Sequence, residues 1–215
     1  TPQEFNLFAD YAQLGIFEQY FYDLEQRQAA IGNETDYSDI TSNIEEKISL
    51  FEIQNEALDL ITFPELVVSN IDNFYRLGSV KVFYEDQLGY KIADKMKSNE
   101  INKYQNSPLA APKKSNPVYT EFSTSSNAIN ILVHPIDGIG SVMVDYVRKP
   151  KTPIWTYIIS TTGNALYDAN ANTQHFELHP SEENNLIVKI LQFSGVAMKD
   201  VSLIQAAAQE QADIQ

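Results

Sequence analysis

The sequence contains no cysteine among its 215 residues. Disulfides, thiolate nucleophiles and cysteine-ligated metal sites are therefore excluded. Basic residues are scarce too, with 15 lysines and arginines against 29 acidic residues, so the formal net charge is -14. A chain this acidic repels nucleic acid phosphates over most of its surface, which argues against a DNA-gripping protein. The same charge suits the lining of a passage through which DNA moves without sticking.

Long apolar runs are also missing. No stretch approaches the roughly 18 residues of a membrane-spanning helix. The first residues, with Glu4 and Asp10 among aromatics, lack the basic start and apolar run of a signal peptide. Hydrophobic residues still make up 43% of the chain, which is enough for one good core or two small ones at this length. We expect one domain with extensions and no membrane partner.

The first 30 residues predict one long helix. Residues 1–4 form a capping box with proline at the first helical position, Thr-Pro-Gln-Glu. Apolar side chains then fall on two stripes, although a helix that faces a single core needs only one. We therefore expect contacts between subunits here, with burial in the chain's own core as the alternative. The candidate intersubunit residues are Phe5, Phe8, Tyr11, Phe17 and Phe21.

The middle of the chain predicts mainly β structure. A capping box at Ser42 indicates a short helix that ends before Leu50, and the polar region 85–104 is expected to be helical in part. A proline-rich loop follows at 108–117. Later β-branched and aromatic runs, separated by turn-forming residues, predict an antiparallel meander. The predicted strands lie within 50–61 and at 75–84, 118–122, 128–134, 141–147 and 154–160.

Two helices are predicted near the C-terminal end. Pro180 and the acidic residues after it indicate the start of the first, and Gly195 is placed to end it. A second segment, rich in alanine and glutamine, has too few apolar residues to be stable alone. Such a segment is typical of one that orders on a partner. The candidate partner-docking residues are Asp200, Val201, Leu203, Ile204 and Ile214.

These elements predict an α+β fold with an N-terminal helix, a central antiparallel β-sheet, C-terminal helices and a docking tail. The expected regions are a helical part at 1–49, a mainly β core at 50–178, a packing helix at 179–199 and a docking segment at 200–215.

No motif indicates catalysis. His175, Glu177 and His179 alternate as metal ligands on a strand would, but exposed polar residues before a helix explain them more simply. No Gly-x-Ser-x-Gly elbow occurs, and adjacent acids such as Glu182 and Glu183 suit a helix N-terminus. We expect a protein that is not an enzyme, with no catalytic, cofactor-binding or metal-binding residues. A small cellular hydrolase is the remaining alternative of that class.

Several runs resemble a pattern in structural proteins of tailed bacteriophages. They are NPVY (116–119), INILVHP (129–135), VDYVRKPKTPIW (144–155) and FELHPSEENNLIVKIL (176–191), with FEQYF (17–21) near the start. The pattern, over about residues 74–205, is similar to the neck or ring proteins of short-tailed, crAss-like phages. It contains no catalytic signature.

The resemblance implies a homo-oligomeric ring, a dodecamer, that joins the portal vertex to the tail and lines the DNA passage. The implied partners are further copies of the chain, the portal protein, other neck or tail ring proteins, and DNA that passes without sequence recognition. The implied location is the head-tail junction of the virion, assembled in the bacterial host cytoplasm. A tail-hub, fibre-anchoring or capsid-decorating virion protein is the alternative.

Overall fold

A computed structural model of the chain describes residues 1–29, 35–58, 65–67, 71, 73–105, 107, 109–123, 129–168, 172–198 and 209. The chain divides into two compact units. One combines Thr1–Phe51 with Lys149–Gln215, and the other is Glu52–Arg148. The first is mainly helical and the second mainly β, so the expected α+β class, with a helix near each end, is confirmed.

The helices and strands of the described residues are as follows. The helices are α1 (Pro2–Ala29), α2 (Thr35–Ser49), α3 (Ser98–Tyr104) and α4 (Glu183–Met198). The strands are β1 (Glu52–Ala57), β2 (Glu65–Val67), β3 (Phe74–Tyr84), β4 (Tyr90–Lys95), β5 (Val118–Ser123), β6 (Ile129–His134), β7 (Ile139–Arg148), β8 (Tyr157–Ile159) and β9 (Ala165–Tyr167).

Helix α1 begins as the sequence predicts. The hydroxyl of Thr1 donates to Glu4 Oε2 at 2.9 Å and accepts from the Glu4 backbone N–H at 3.4 Å. Helix α2 differs from the prediction, because it begins at Thr35 and not at Ser42. Thr35 and Asp36 suit a turn and a helix start equally well, so the sequence could not choose between them.

Helix α4 also differs, at its end. A 3-10 turn at Pro180–Glu182 precedes it, as the proline and acids indicated. The helix then continues through Gly195, the predicted end, to Met198. Gly195 is buried, and a glycine inside a helix costs only about 1 kcal/mol relative to alanine.

The predicted meander is wrong beyond its first pair. Strands β5 and β6 do pair antiparallel, but β7 lies between β1 and β3, in a sheet ordered β1-β7-β3-β4-β5-β6-β2. Strands β8 and β9 form a separate antiparallel pair. The sheet is mixed, because β4 and β5 pair parallel. Alternation of apolar residues identifies a strand and its buried face, but not its neighbour.

Alternation of apolar residues predicts one face of Val80, Val82 and Tyr84 on β3 and one of Val142, Val144 and Tyr146 on β7, and all six side chains are buried. Val80 and Val82 lie opposite Val144 and Val142. The face predicted for β6 is buried at Ile131 and Val133 but not at Ile129, which is 38% exposed. The buried side chains of β3 and β7 form one cluster with residues of β4, β5 and β6. Its members are Leu58, Val80, Val82, Tyr84, Ala93, Tyr119, Ile131, Val133, Val142, Val144 and Tyr146.

Asp145 lies opposite two β-bulges of this sheet and accepts hydrogen bonds at both. The register shifts opposite it both in β1, between Ile53 and Glu56, and in β3, between Leu77 and Val80. Its carboxylate accepts the backbone N–H of Asn55 at 2.9 Å, the hydroxyl of Ser79, and the ammonium of Lys81 at 2.7 Å.

Two backbone features accompany these bulges. Asn55 has φ 59°, a conformation that asparagine tolerates better than most residues. At Gly78 a Cβ would meet the Asp145 carbonyl oxygen at 2.9 Å, so only glycine fits there. The bulges are therefore specific features of this sheet, and the Asp145 carboxylate accepts hydrogen bonds at both of them.

Replacement of Asp145 should destabilise the β unit in a pH-dependent manner. Burial raises the pKa of Asp145, but the hydrogen bonds from Lys81, Ser79 and Asn55 outweigh it and hold the pKa below its ordinary value. The stabilisation is thus present above the unfolded pKa of about 3.9 and is lost as the pH falls through the folded pKa. We expect Asp145→Asn to lose about 1–2 kcal/mol at pH 7, and the deficit to shrink below about pH 4.

Urea denaturation followed by circular dichroism at several pH values measures this. Asp94→Asn, at an exposed carboxylate of β4, is the matched control and should change stability by less than about 0.5 kcal/mol. An Asp145→Asn deficit that stayed constant down to pH 3 would contradict the role of the charged carboxylate.

Candidate functional site

Helix α1 has one buried face and one exposed apolar stripe. The buried face repeats at helical spacing and consists of Ala9, Ala12, Gln13, Ile16, Phe17 and Tyr20. On another side Leu7, Tyr11 and Tyr22 are 49%, 54% and 60% exposed, and their spacing of four and eleven residues aligns them along the helix. We call Leu7, Tyr11 and Tyr22 the α1 stripe. The described residues of the helical unit leave it about half exposed or more.

The structure divides the candidate intersubunit residues between core and surface. Phe17 is fully buried and packs edge-on against Phe21 and Phe51, with ring centroids 5.1 and 5.0 Å apart. Phe17 therefore belongs to the chain's own core, the alternative that the sequence left open. Tyr11 is exposed, Phe5 is 40% exposed, and Phe8 is half-buried.

A groove lies between the start of α1 and the last turns of α4. Its volume is about 360 Å³, and Phe5, Phe8, Ile190 and Leu191 give it apolar walls. Ser194 lies at one side. Further along the two helices, the ammonium of Lys189 donates to Gln19 Oε1 at 3.2 Å. The groove therefore lies at one end of the contact between the two helices.

The apolar spacing of α4 predicts one face of Leu186, Ile187, Ile190, Leu191 and Ser194, with Asn185, Lys189 and Gln192 outside, and the structure corrects this in part. Leu186 is buried as expected, but Ile187 and Leu191 are 49% and 39% exposed. Lys189, predicted to point outside, reaches Gln19 on α1. The long lysine stem can lie along an apolar contact while its ammonium finds a polar partner, which a simple apolar pattern does not reveal.

The hairpin of β8 and β9 exposes apolar side chains. Ile158 and Ile159 are 52% and 72% exposed, and Leu166 and Tyr167 are 53% and 54% exposed. Neighbouring strand residues point to opposite faces, so both faces of the hairpin are apolar. An isolated two-stranded hairpin is at best marginally stable, and covering its apolar faces with a partner would stabilise it.

Two amide side chains on α1, one buried and one half-buried, hold the segment that carries this hairpin. Gln13 is 1% exposed; its Nε2 donates to the Lys151 carbonyl at 2.8 Å, and its Oε1 accepts from the Glu177 N–H at 3.0 Å. Asn6 exchanges two hydrogen bonds with the backbone of Trp155, at 2.9 and 3.2 Å. Sequence reasoning missed both amides, although a glutamine inside an apolar helix face was a usable signal.

A polar cluster links three helices of the same unit. The ammonium of Lys47 on α2 lies 2.6 Å from Glu182 Oε1 and 5.6 Å from the centre of the Tyr20 ring. Burial raises the pKa of Glu182, but hydrogen bonds from Lys47 and Asn185 outweigh it and lower the pKa. Burial, with the charge of Glu182, raises the pKa of Tyr20. The carboxylate thus stays ionised and joins α2 to the start of α4.

Two side chains of the His175, Glu177 and His179 pattern make backbone contacts. Glu177 Oε2 accepts the Lys151 N–H at 2.8 Å, and His179 Nδ1 accepts the Ser181 N–H at 3.2 Å, which caps the 3-10 turn. Within the described residues, no group of three or more histidines and acids could hold a metal ion.

His134 occupies a different position, at the end of β6. It is 7% exposed, its Nδ1 lies 3.0 Å from Gln105 Nε2, and burial lowers its pKa. A pocket of about 320 Å³ lies beside it, lined also by Pro112 and Asp137. The neutral ring ties β6 to the residue that follows α3.

The candidate docking residues Asp200, Val201, Leu203, Ile204 and Ile214 lie outside the described residues. Their role stays a prediction. Among the described parts of the chain, no helix is long and apolar enough to cross a bilayer. No protein-family model matches the sequence, and a comparison with curated proteins finds no match.

Loss of the Gln13 side chain should loosen the segment that follows residue 148. Gln13→Leu leaves the Lys151 carbonyl and the Glu177 N–H without their partner, so we expect a loss of about 1–2 kcal/mol in unfolding free energy. Trp155, the only tryptophan, lies in this segment, and its fluorescence during urea unfolding measures the change.

The control is Gln26→Leu on the same helix, where an exposed amide donates to the Tyr22 hydroxyl. It should change stability by less than about 0.5 kcal/mol. Equal effects of the two substitutions would show that the buried amide has no special role.

Proposed function

We infer that this chain is a non-catalytic virion subunit that forms a homo-oligomeric ring joining the portal vertex to the tail of a short-tailed bacteriophage. The observation that carries the proposal is the apolar surface of the helical unit, which comprises the α1 stripe and the β8–β9 hairpin. The resemblance of residues 74–205 to neck and ring proteins supplies the biological setting.

The size of this surface supports a stable contact. The seven side chains of the α1 stripe and the hairpin are each about half exposed or more. At about 150–250 Å² for a large aromatic side chain, they offer together on the order of 600–800 Å², divided between the α1 stripe and the hairpin. A head-to-tail contact uses two different surfaces of each subunit, and a standard interface buries about 800 Å² on each partner.

The charge of the chain fits the same proposal. Each copy carries a formal net charge of -14, so copies repel one another and association has to come from apolar contacts. A ring of such subunits presents negative charge to passing DNA, which disfavours non-specific binding to its phosphates. DNA would therefore move through the proposed ring without binding to it non-specifically, and no recognition of its bases is needed.

Native mass spectrometry and electron microscopy of the purified chain, alone and with its portal protein, test the function. We expect a closed ring with the copy number of the portal, which the resemblance puts at twelve. A monomer that never joins the portal would overturn the proposal. A copy number that follows the capsid lattice would favour a decorating protein instead.

Substitution of the α1 stripe should prevent ring formation without unfolding the chain. The variant Leu7→Gln, Tyr11→Gln, Tyr22→Gln keeps good helix-forming residues at exposed positions and removes the apolar contact. We expect the ring peak in native mass spectra to fall at least tenfold, with the unfolding midpoint nearly unchanged.

The control variant is Leu88→Gln with Leu109→Gln, because these leucines are 99% and 90% exposed on loops of the β unit. It removes as much exposed apolar surface elsewhere and should assemble normally. A stripe variant that still formed rings at the wild-type concentration would remove the α1 stripe from the interface.

Assembly should strengthen with salt. Raising the ionic strength from about 0.01 to 0.15 M shortens the Debye length from about 30 to 8 Å, which screens repulsion between acidic copies and leaves apolar contacts intact. Sedimentation velocity at fixed protein concentration should show more ring at higher salt. The opposite trend would indicate that ion pairs hold the copies together.

A further inference from the structure

Strands β8 and β9 of the hairpin each have one edge that no described strand covers. Among the described strands, each of the two pairs only with the other. The Ser160 N–H donates to the Asn164 carbonyl at 2.8 Å, and the Asp168 N–H donates to the Thr156 carbonyl at 3.1 Å. These two bonds identify the residues whose backbone groups point into the hairpin.

The residues between them point their backbone groups outward. In an antiparallel pair, hydrogen-bonded residue pairs alternate with pairs whose N–H and C=O groups face away from the partner strand. The register sets Tyr157 opposite Tyr167 and Ile159 opposite Ala165, each one residue away from a bonded position. Within the described parts of the chain, these outward backbone groups have no hydrogen-bond partner. Each edge of the hairpin is therefore a template for another strand.

The hairpin lacks the features by which natural edge strands prevent such pairing. Proteins protect an exposed edge with charged side chains, proline or a β-bulge. Residues 154–167 contain no Asp, Glu, Lys, Arg or Pro, and the register of β8 with β9 has no shift. Residues 152–167 are also the longest run of the sequence without an acidic residue, lysine or arginine. Both edges are thus open to pairing.

We propose that the β8–β9 hairpin pairs edge to edge with the hairpin of a second copy of the chain, so that β9 of one copy lies antiparallel to β8 of the next. This inference rests on the proposed ring and names a contact between its neighbouring subunits. One register uses all the outward groups. It sets Ile159 opposite Ala165 of the partner subunit, and Tyr157 opposite Tyr167 of the partner subunit.

The charge of the chain favours another copy as the occupant. A foreign partner that complements an acidic chain is basic, and residues 152–167 offer no carboxylate to it. Two copies, each with a formal net charge of -14, repel each other over most of their surfaces. Contact through two uncharged hairpins keeps that repulsion small and covers the apolar side chains of both.

The strand directions favour a head-to-tail contact. Copies related by a small rotation present their hairpins in the same orientation, so β9 of one copy runs antiparallel to β8 of the next. Such contacts use both edges of every hairpin and form a ring when the rotation closes. Pairing of β8 with β8 would instead need a two-fold axis. In the ring every hairpin gains a strand on each side, and three or more strands remove the marginal stability of an isolated pair.

Disulfide trapping tests the contact, since the chain has no cysteine of its own. A chain with Ile159→Cys and a longer, tagged chain with Ala165→Cys are co-expressed, assembled and oxidised with copper phenanthroline. Opposed residues of a hydrogen-bonded pair lie about 5.5 Å apart between their Cα atoms, which a disulfide can span. On non-reducing gels we expect at least five times more heterodimer than homodimer.

The homodimers of each single variant are the matched controls. Equivalent residues on neighbouring hairpins lie two strands apart, about 9.5 Å, which exceeds the roughly 7 Å between Cα atoms that a disulfide can bridge. Head-to-tail pairing therefore predicts little homodimer from either variant. Strong homodimers of Ile159→Cys alone would indicate pairing about a two-fold axis and overturn the head-to-tail contact.

A proline substitution tests the backbone contact without cysteine. Ala165→Pro removes an outward N–H but no bond within the hairpin, as an edge strand tolerates, whereas Ala165→Val keeps the N–H. We expect at least a fivefold smaller ring peak in native mass spectra for the proline variant than for the valine variant. Trp155 stacks with Tyr157 at 6.1 Å between ring centroids, so equal tryptophan fluorescence verifies that the hairpin is intact. Equal ring formation would overturn the proposal.

The outcomes separate this contact from the ring itself. Rings without the heterodimer would show that another segment or another protein covers the edges, so the ring function stands and this contact is wrong. Heterodimers that never close into rings would support the strand pairing and count against the ring. Absence of both rings and heterodimers would contradict both proposals.

Discussion

Burial of the Gln13 amide imposes the requirement on which the helical unit depends. A primary amide removed from water must find partners for its donors and its acceptor, or its burial costs free energy. Gln13 finds them on the backbone at Lys151 and Glu177, two points of a segment that follows α1 by more than 130 residues. Asn6 adds a second pair of bonds at Trp155. The segment with the apolar hairpin is thereby fixed against one face of α1.

Helix α1 also carries an apolar stripe that is exposed to water. Its buried face is occupied by its own unit, including the aromatic contacts of Phe17 with Phe21 and Phe51. Leu7, Tyr11 and Tyr22 lie on another side, and a single helix cannot turn two faces towards one core. Exposed apolar residues on the hairpin and on α4 extend this surplus. A subunit that assembles has a physical reason to retain such surfaces, because the proposed ring would cover them.

The β unit uses a charged group for an analogous purpose. Two bulges on either side of β7 would leave backbone and hydroxyl donors without partners, and the Asp145 carboxylate accepts from both sides. Lys81 balances its charge. Local irregularity of the sheet is thus stabilised within the unit, and its apolar cluster is covered by the unit's own strands. The hairpin of the helical unit, by contrast, exposes apolar side chains. This difference is the reason for proposing that the assembly contacts lie on the helical unit.

Local patterns in the sequence determined the α+β class, the capped start of α1 and the positions of β3, β5, β6 and β7. They also determined the buried faces of β3 and β7, because periodicity and capping act between near neighbours. Local patterns did not predict the start of α2, the continuation of α4 through Gly195 or the short polar strand β4, because packing outweighed weak local preferences. Only the tertiary structure decided the strand order, the burial of Phe17 beside the exposure of Tyr11, and the partners of Gln13 and Asp145. Those depend on which distant segments meet, and one-dimensional alternation of polar and apolar residues carries no information on that.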